Sequence, residues 1–225
     1  SMTAERNGGA AVEKKNRRIG KRTFEYTNRP CIIGAGSVVG EMEGQGPQAR
    51  WFDEIMEDDS MGEETWEKSE TRMFRIAVEH ALRDAGLHRR QLDAVLCGDL
   101  LNQLMASSFM ARDLSIPFLG LYGACSTMTE SMLVGGVMTD GGYCRNVIAG
   151  ASSHFSTAER QFRLPLEHGN HRDMTAQWTV TGSGAVVISS ERKSHICMTH
   201  ATIGRIVDPG ITDPNCMGAA MAPAA

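Results

Sequence analysis

The spacing of apolar residues predicts one long helix early in the chain. Over residues 67–85 the apolar positions recur at intervals of three and four, which places them on one face of an α-helix. Gly86 follows directly and is predicted to end the helix. The apolar positions are Phe74, Ala77, Val78, Ala81, Leu82 and Ala85.

Six shorter apolar runs predict strands, and helical stretches separate the first four of them. The second helical stretch follows Gly98 and ends near Asp113, and the third follows Cys125 and stops at Gly141 and Gly142. This alternation predicts an α/β domain in which a parallel sheet carries helices on its faces. The strands are predicted at residues 30–39, 92–97, 117–122, 144–150, 184–189 and 198–207.

Glycines in the first strand match a dinucleotide-binding fingerprint only in part. Gly34 and Gly36 are followed by Gly40, but residues 41–47 are polar and glycine-rich and lack helical periodicity. The fingerprint requires a helix at this point to receive the pyrophosphate, so nucleotide binding is excluded here. Residues 51–66 are acidic and predict a surface excursion.

A cysteine stands at the turn between the third strand and the third helix. The small residues 123–124 precede Cys125 and let a ligand approach the backbone closely. Ser126 and Thr127 are predicted to cap the first helical turn, where Glu130 complements the positive helix end. N–H groups and the helix dipole at such a turn attract anions and favour a thiolate. The turn is interpreted as an anion-binding or nucleophile-bearing site, with an inert buried cysteine as the alternative.

Three segments lie at the carboxyl ends of predicted strands, where α/β sheets bind their ligands. They are residues 98–99, 123–126 and 151–154, and they are expected to converge on one pocket. Residues 151–183 are predicted to be a polar loop, which is too long to lack a role in a compact domain. Trp178 is expected to anchor this loop by packing.

Composition restricts the classes of protein that fit. The net charge of −4 over 225 residues argues against a general nucleic-acid binder. Residues 1–22 carry seven basic and two acidic side chains and predict a disordered tail, with contact to an anionic membrane surface as the alternative. No run reaches the ~18 apolar residues of a membrane span, and no signal-peptide pattern is present. The six cysteines lack Cys-x-x-Cys spacing, so neither a zinc site nor a disulfide framework is indicated, and several lie within apolar runs and are interpreted as reduced core residues.

Five stretches, in chain order, resemble the thiolase-like superfamily and, within it, the stage V sporulation protein AD (SpoVAD) family. The Gly-Ala-Cys-Ser-Thr turn at Cys125 carries the resemblance to the superfamily. The resemblance extends from about residue 20 to the end of the chain. The stretches that carry it are residues 98–103, 118–127, 152–163, 179–187 and 217–225.

The resemblance implies a thiolase-like α/β fold of two βαβαβαββ halves whose sheets stack in five layers. The first half is expected at residues 23–207 and the start of the second at residues 208–225, so the chain looks truncated. In thiolase-like enzymes the nucleophile comes from the first half and matches Cys125, whereas the general-base histidine and its His or Asn companion come from the second. The resemblance therefore implies no catalytic residues in this chain beyond a vestigial Cys125, and a homodimer formed through the strand at residues 144–150.

The SpoVAD resemblance implies binding rather than catalysis. The family binds dipicolinic acid, a planar pyridine dicarboxylate, and helps to move it into the developing spore together with other SpoVA membrane proteins. A peripheral position at the spore inner membrane and the absence of a cofactor are expected, with calcium as a companion of the ligand. Arginines clamp carboxylates well, and Asp99 is a candidate contact for calcium. The expected ligand contacts are Cys125, Ser126, Thr127, Asp99, His154, Arg160 and Arg163.

Alternatives remain open at this stage. A condensing enzyme of the ketoacyl synthase type would carry an acyl thioester on Cys125. In a third interpretation the fold serves only as a protein–protein scaffold, and the pocket is vestigial. Arg160 and Arg163 also fit a solvated face or an ion pair, and His154 also fits a structural histidine with satisfied nitrogens. His168, His171 and Asp173 have a spacing seen at metal sites, but no metal is expected in this polar loop.

Overall fold

A mixed six-stranded sheet forms the centre of the molecule. The computed structural model describes residues 17–162, 178–213 and 216–223. The strands of the central sheet stand in the order β3-β2-β7-β6-β4-β5, and β1 pairs with β8 in a separate two-stranded sheet. The strands are β1 Thr23–Glu25, β2 Cys31–Val39, β3 Glu54–Ile55, β4 Ala94–Asp99, β5 Phe118–Gly120, β6 Asn146–Ser153, β7 Gly182–Ser189 and β8 His200–Thr202. The helices are α1 Glu41–Gly44, α2 Trp66–Ala85, α3 Met105–Leu114, α4 Thr127–Asp140, α5 Phe155–Phe162 and α6 Met217–Met221.

The parallel direction predicted for the first four strands is confirmed, and the fifth predicted strand, β7, runs antiparallel to them. The pairs β4–β5, β4–β6 and β2–β3 are parallel, but β7 lies antiparallel between β2 and β6. The reason is where the chain leaves and re-enters the sheet: the end of β6 at Ser153 is opposite the start of β7 at Gly182. A strand that returns from the same edge runs antiparallel and needs no crossover.

Helix α2 confirms the prediction from the apolar spacing. Thr65 caps its first turn by accepting a hydrogen bond from Lys68 N, and Gly86 ends it with a left-handed φ of 62°. The helix lies so close to β2 that a Cβ on Gly34 or Gly36 would collide with its backbone. The two glycines that resembled a nucleotide fingerprint therefore serve close helix–strand packing.

The two faces of the sheet carry different helices. Phe74, Val95 and Met110 belong to the hydrophobic cluster under α2 and α3, whereas Leu96 and Val147 belong to the cluster under α4. Helix α4 approaches its neighbours through glycines, because a Cβ on Gly135 would lie 3.2 Å from both Ile188 and Val147 side chains. Consecutive residues of β4 therefore serve opposite faces, as the alternation of a strand requires.

Three segments have more structure than the sequence predicted, and the strands expected at residues 117–122 and 198–207 are shorter than predicted. A single helical turn, α1, occupies part of the loop expected at residues 41–47, and β3 lies within the excursion at residues 51–66. The expected loop at residues 151–183 contains the end of β6 and helix α5, and Trp178 stacks on Phe155 at 5.1 Å between ring centroids. The sixth strand expected at residues 198–207 shortens to β8, because it pairs only with the three residues of β1.

The strand expected to form a dimer interface is an interior strand. Both edges of β6 are hydrogen-bonded, to β4 on one side and β7 on the other, so the predicted role of residues 144–150 in dimerisation is wrong. Within the described part of the chain, β5 ends the sheet on this side, and it exposes Leu119. An unpaired edge strand is where a second sheet adds.

The cysteines and the predicted tail both differ in part from expectation. Cys97 and Cys144 are buried free thiols, as predicted, but Cys31 and Cys197 form a disulfide across neighbouring segments. Sequence spacing missed this pair because 166 residues separate its members. Residues 17–22 of the predicted tail contact the fold, since Arg17 pairs with Asp140 at the end of α4.

Candidate functional site

The three segments singled out by the sequence lie at one edge of the sheet, but they do not converge on one pocket. Gly98 and Asp99 of β4 lie opposite Ala151 and Ser152 of β6, and Leu121 N, just after β5, donates to Cys97 O at 3.0 Å. A Cβ on Gly98 would meet the carbonyl of Leu121 and lie 3.0 Å from Thr127 Cγ2. The turn that carries Cys125 therefore sits directly against the end of β4.

The Cys125 turn lies on the α4 face and is open to solvent. Residues Ala124–Ser126 form a 3₁₀ turn that continues into α4, and Cys125 is exposed. Ala124 has a φ of 47°, a left-handed conformation that costs a residue with a Cβ about 1–2 kcal/mol. Strain of this kind concentrates at functional sites, where the surrounding structure holds it in place.

The hydroxyls of Ser126 and Thr127 hold the turn. The prediction that they cap the first turn of α4 is wrong. Ser126 Oγ donates to Gly123 O at 2.8 Å. Thr127 Oγ1 donates to Ala124 O at 2.8 Å and accepts from Gly123 N at 3.2 Å. No described side chain caps the N-terminus of α4. The first turn of α4 thus retains the positive end of its dipole beside an exposed thiol.

One carboxylate lies beside this turn. A Cβ on Gly123 would be 2.6 Å from Glu130 Oε2, so the Glu130 side chain reaches back along α4 to the turn. A negative charge there complements the helix end, as predicted, but it also opposes a free anion at short range.

Asp99 lies on the opposite face and is committed to α3. Its two carboxylate oxygens accept from Ala106 N and Ser107 N, each at 2.8 Å, and the residue is 3% exposed. Burial raises the pKa of Asp99, against the lowering effect of the hydrogen bonds from Ser107 and Ala106. The geometry makes Asp99 the cap of α3, and it does not place Asp99 beside Cys125.

A second buried carboxyl group, Glu70, escaped the sequence analysis. Ser152 Oγ donates to Glu70 Oε1 at 2.8 Å, and Thr157 Oγ1 donates to Oε2 at 3.4 Å. Burial, followed by the negative charge of Asp99, raises the pKa of Glu70 to about 7. The signal was present: Glu70 stands four residues before Phe74 on the apolar face of α2, where a carboxyl group is rarely found without partners.

Arg160 lines a cavity of about 270 Å³ on this same face. Arg160 Nη2 is paired with Glu67 Oε1, which agrees with the ion-pair alternative. Burial is the largest single influence and raises the pKa of Glu67, but the hydrogen bond and positive charge of Arg160, together with a backbone hydrogen bond, outweigh it, and the pKa is lowered. The lining includes Glu67, Glu70, Asp99, Gln103, Thr157 and Arg160.

His154 is a structural residue in this fold. It is fully buried, its Nε2 lies 2.9 Å from Asp59 O, and its Nδ1 accepts from Ser156 N at 3.2 Å in the first turn of α5. Because Nδ1 accepts a hydrogen bond, Nε2 carries the proton and donates to the carbonyl. Both nitrogens therefore have protein partners, which favours the structural alternative for His154.

Four of the remaining candidate residues fall in a part of the chain that the structure does not describe. They are Arg163, His168, His171 and Asp173. Among the residues that the structure covers, no group of three or more His, Cys, Asp or Glu side chains is arranged to hold a metal ion. The helices in the same part of the chain are all too short or too polar for a membrane span.

Comparison with solved structures identifies the fold as thiolase-like. OleA of Xanthomonas campestris, in a variant with one histidine replaced by asparagine, has 13% sequence identity and a TM-score of 0.51, with 73% of this chain and 57% of that chain covered. A second OleA variant, with one glutamate replaced by aspartate, gives 14% identity and the same TM-score, with 74% and 59% covered. A 3-oxoacyl-[acyl-carrier-protein] synthase III from Aquifex aeolicus matches at 18% identity with a TM-score of 0.48, covering 74% and 54%. At these identities the likeness shows the fold alone.

The chain belongs to the stage V sporulation protein AD family. The model of that family matches residues 20–225. The stage V sporulation protein AD of Bacillus subtilis (strain 168) is 44% identical over 206 residues, which cover 92% of this chain. The chain spans 61% of the length of that relative.

Proposed function

We propose that this sporulation protein binds dipicolinic acid without catalysis, at the Cys125 turn, as part of its transport into the developing spore. The observation that carries the proposal is the exposed Cys125 turn directly before α4, where Ser126 makes no capping hydrogen bond and small residues stand on the approach. Backbone N–H groups at a helix N-terminus bind carboxylates through both hydrogen bonds and the dipole. Membership of the stage V sporulation protein AD family supports a role in sporulation.

Electrostatics favours the Cys125 turn over the cavity beside Arg160. Glu67, Glu70 and Asp99 contribute three carboxyl groups to that cavity, and Arg160 is already paired with one of them. A free dianion entering there meets carboxylates at short range. The oxygens of Asp99 and Glu70 that could face the cation of a calcium complex already accept hydrogen bonds from protein donors. Asp99 and Arg160 are therefore withdrawn as ligand contacts in this proposal, and Cys125, Ser126 and Thr127 are retained.

Glu130 points to the form in which the ligand binds. A free dianion is repelled by this carboxylate, whereas the calcium complex of dipicolinate is neutral and brings a cation with a preference for oxygen ligands. We therefore propose calcium dipicolinate as the bound form, with Glu130 facing the cation. The peripheral membrane position, the partnership with other SpoVA proteins and a homodimer through the exposed edge of β5 belong to the same proposal.

Calorimetric titration tests this proposal. Dipicolinate is added to the protein with and without equimolar calcium, to Cys125→Trp, and to Cys216→Trp as a control at an exposed cysteine outside the turn. We expect heat in the presence of calcium, a loss of affinity of more than ~100-fold in Cys125→Trp because the indole fills the approach, and no change in the control. Unchanged affinity in Cys125→Trp contradicts the assignment of the site.

A condensing enzyme is the second candidate, favoured by the exposed thiol at the N-terminus of α4. In that case the Cys125 thiolate attacks the carbonyl of the donor thioester, the bond to the donor sulfur breaks, coenzyme A leaves as its thiolate, and the acyl group remains on Cys125. Incubation with acyl-coenzyme A followed by mass spectrometry decides the point. Acyl mass on Cys125 that is absent in Cys125→Ala supports the enzyme, and absence of labelling together with dipicolinate heat supports the binding protein.

A further inference from the structure

Two cysteines from opposite ends of the domain meet across neighbouring antiparallel segments. Cys31 begins β2, and Cys197 lies between β7 and β8. Ile32 N donates to Ile196 O at 2.9 Å and Met198 N donates to Pro30 O at 2.8 Å, so the hydrogen bonds flank the cysteine pair. This is the non-hydrogen-bonded position of an antiparallel ladder, where opposite side chains are closest, and the two Cα atoms are 4.0 Å apart.

Both redox states of the pair are accommodated. Cys31 is fully buried, whereas Cys197 is exposed, so a soluble thiol or disulfide reaches the pair through Cys197. Cys31 Sγ lies 3.3 Å from Arg29 O, and Cys197 Sγ lies 3.4 Å from Ser194 O. When reduced, each thiol therefore has a backbone carbonyl to which it donates.

The disulfide joins the first residue of β2 to one of two paired segments that together cover the C-terminal half of α4. We call residues 17–30 and 194–203 the flap; its strands β1 and β8 pair with each other. Tyr26 of the flap donates to Leu133 O of α4 at 3.0 Å. A Cβ on Gly136 would lie 2.7 Å from the Tyr26 ring and 2.8 Å from Met198 Cε. The flap thus packs directly on the helix whose other end carries Cys125.

We propose that Cys31 and Cys197 form a thiol–disulfide modification site that fixes the flap against α4. With a glutathione-type disulfide as oxidant, the Cys197 thiolate attacks one sulfur of the oxidant and releases the first glutathione thiol. The Cys31 thiolate then attacks Cys197 Sγ and releases the second. The two cysteine thiols lose two protons and two electrons in all, and the oxidant is reduced to two thiols.

Labelling of cysteines in glutathione redox buffers tests the site. The protein is equilibrated, quenched in acid, alkylated in denaturant and mapped by mass spectrometry. In oxidising buffer we expect label on the four free cysteines and one Cys31–Cys197 peptide pair, and in reducing buffer label on all six. Label on all six cysteines in oxidising buffer, or a disulfide that uses Cys125 or Cys216, overturns the proposal. This measurement needs no variant that must fold.

A second measurement asks whether the disulfide fixes the flap. Reductant is expected to lower the melting temperature of the protein by about 5–15 °C, because the disulfide restricts the unfolded chain. The same shift is expected for Cys216→Ser, and none for the Cys31→Ser/Cys197→Ser double variant. Hydrogen exchange of residues 133–140 should be slower in the oxidised protein. Equal exchange and an equal melting temperature in both redox states contradict the structural effect.

Discussion

The two faces of the sheet present opposite chemistry at the same edge. On the α4 face, Cys125 is exposed and no described side chain caps the helix behind it. On the α2–α3 face, Asp99 and Glu70 are buried and their carboxyl oxygens accept from protein donors. Gly98 and Asp99 are consecutive in β4, yet one faces each side. The difference teaches that one strand end supports an open turn with an exposed thiol on one face of the sheet and a closed hydrogen-bonded network on the other.

The greatest loss of stability is expected from Gly98→Val, because this substitution disrupts the contact between the end of β4 and the Cys125 turn. A side chain there collides with the carbonyl of Leu121 and with Thr127, so the turn must move. We expect a loss of about 3 kcal/mol in the free energy of unfolding in urea, together with loss of ligand binding. Gly184→Val in β7 is the matched control, since no atom lies within 4 Å of its Cβ position. An equal loss in both variants would show that strand glycines in general, and not this contact, are responsible.

Glu70 should make the α2–α3 face sensitive to pH. Its pKa is about 7 in the folded state against 4.5 in the unfolded state, so its contribution is fully present below pH 4.5 and is lost as the pH rises through 7. The loss is on the order of 3 kcal/mol above pH 8. Glu70→Gln keeps the shape of the protonated acid and should be more stable than the unsubstituted protein at pH 8 and nearly equal to it at pH 4.

Glu67→Gln is the control for this pH dependence. The pKa of Glu67 is lowered in the folded state, so its contribution is present above pH 4.5 and is lost as the pH falls through the lowered value. Thermal melts between pH 4 and pH 8 should therefore flatten in Glu70→Gln and not in Glu67→Gln. A Glu70→Gln profile that parallels the unsubstituted protein would refute the raised pKa.

Asp99→Ala should affect stability and leave the Cys125 turn intact. The substitution leaves Ala106 N and Ser107 N buried without their acceptor, which should cost about 2 kcal/mol in urea unfolding. Cys125→Ala is its counterpart on the other face and should change stability by less than about 0.5 kcal/mol, because the thiol is exposed. Calcium dipicolinate affinity should change only in Cys125→Ala. A loss of affinity in Asp99→Ala would mean that the two faces are coupled.

Local patterns predicted the elements better than they predicted the partners of each side chain. Helix α2, the strand end near Gly98 and the turn at Cys125 follow from spacing, because burial of one face imposes a period on the sequence. The antiparallel insertion of β7 and the Cys31–Cys197 pair depend on contacts between distant residues, and no local pattern encodes them. Both features depend on which distant segments pair in the folded chain, and a single sequence does not show that pairing.

The prediction of one pocket used the position of each strand end and ignored the face of the sheet to which each side chain points. Asp99 and Cys125 are both at carboxyl ends, but a strand directs successive side chains to opposite faces. Counting the alternation from Val95, which belongs to the α2–α3 core, would have placed Asp99 on that face. The structural role of His154 was harder to foresee, because it depends on the carbonyl of Asp59 from a distant irregular segment.

The smallest effect is expected from relieving strain on each face. Ala124→Gly removes a left-handed Cβ beside Cys125, and Ser115→Gly does the same at the end of α3, where φ is 55°. Each should stabilise the fold by about 0.5 kcal/mol, because the relief of backbone strain is only partly offset by the larger conformational entropy of glycine in the unfolded chain. Only Ala124→Gly should change the rate at which iodoacetamide alkylates Cys125, because only it loosens the turn that presents the thiol. Equal alkylation rates in both variants would show that the strained residue does not position Cys125, and the open face would then owe its geometry to the hydroxyls of Ser126 and Thr127 alone.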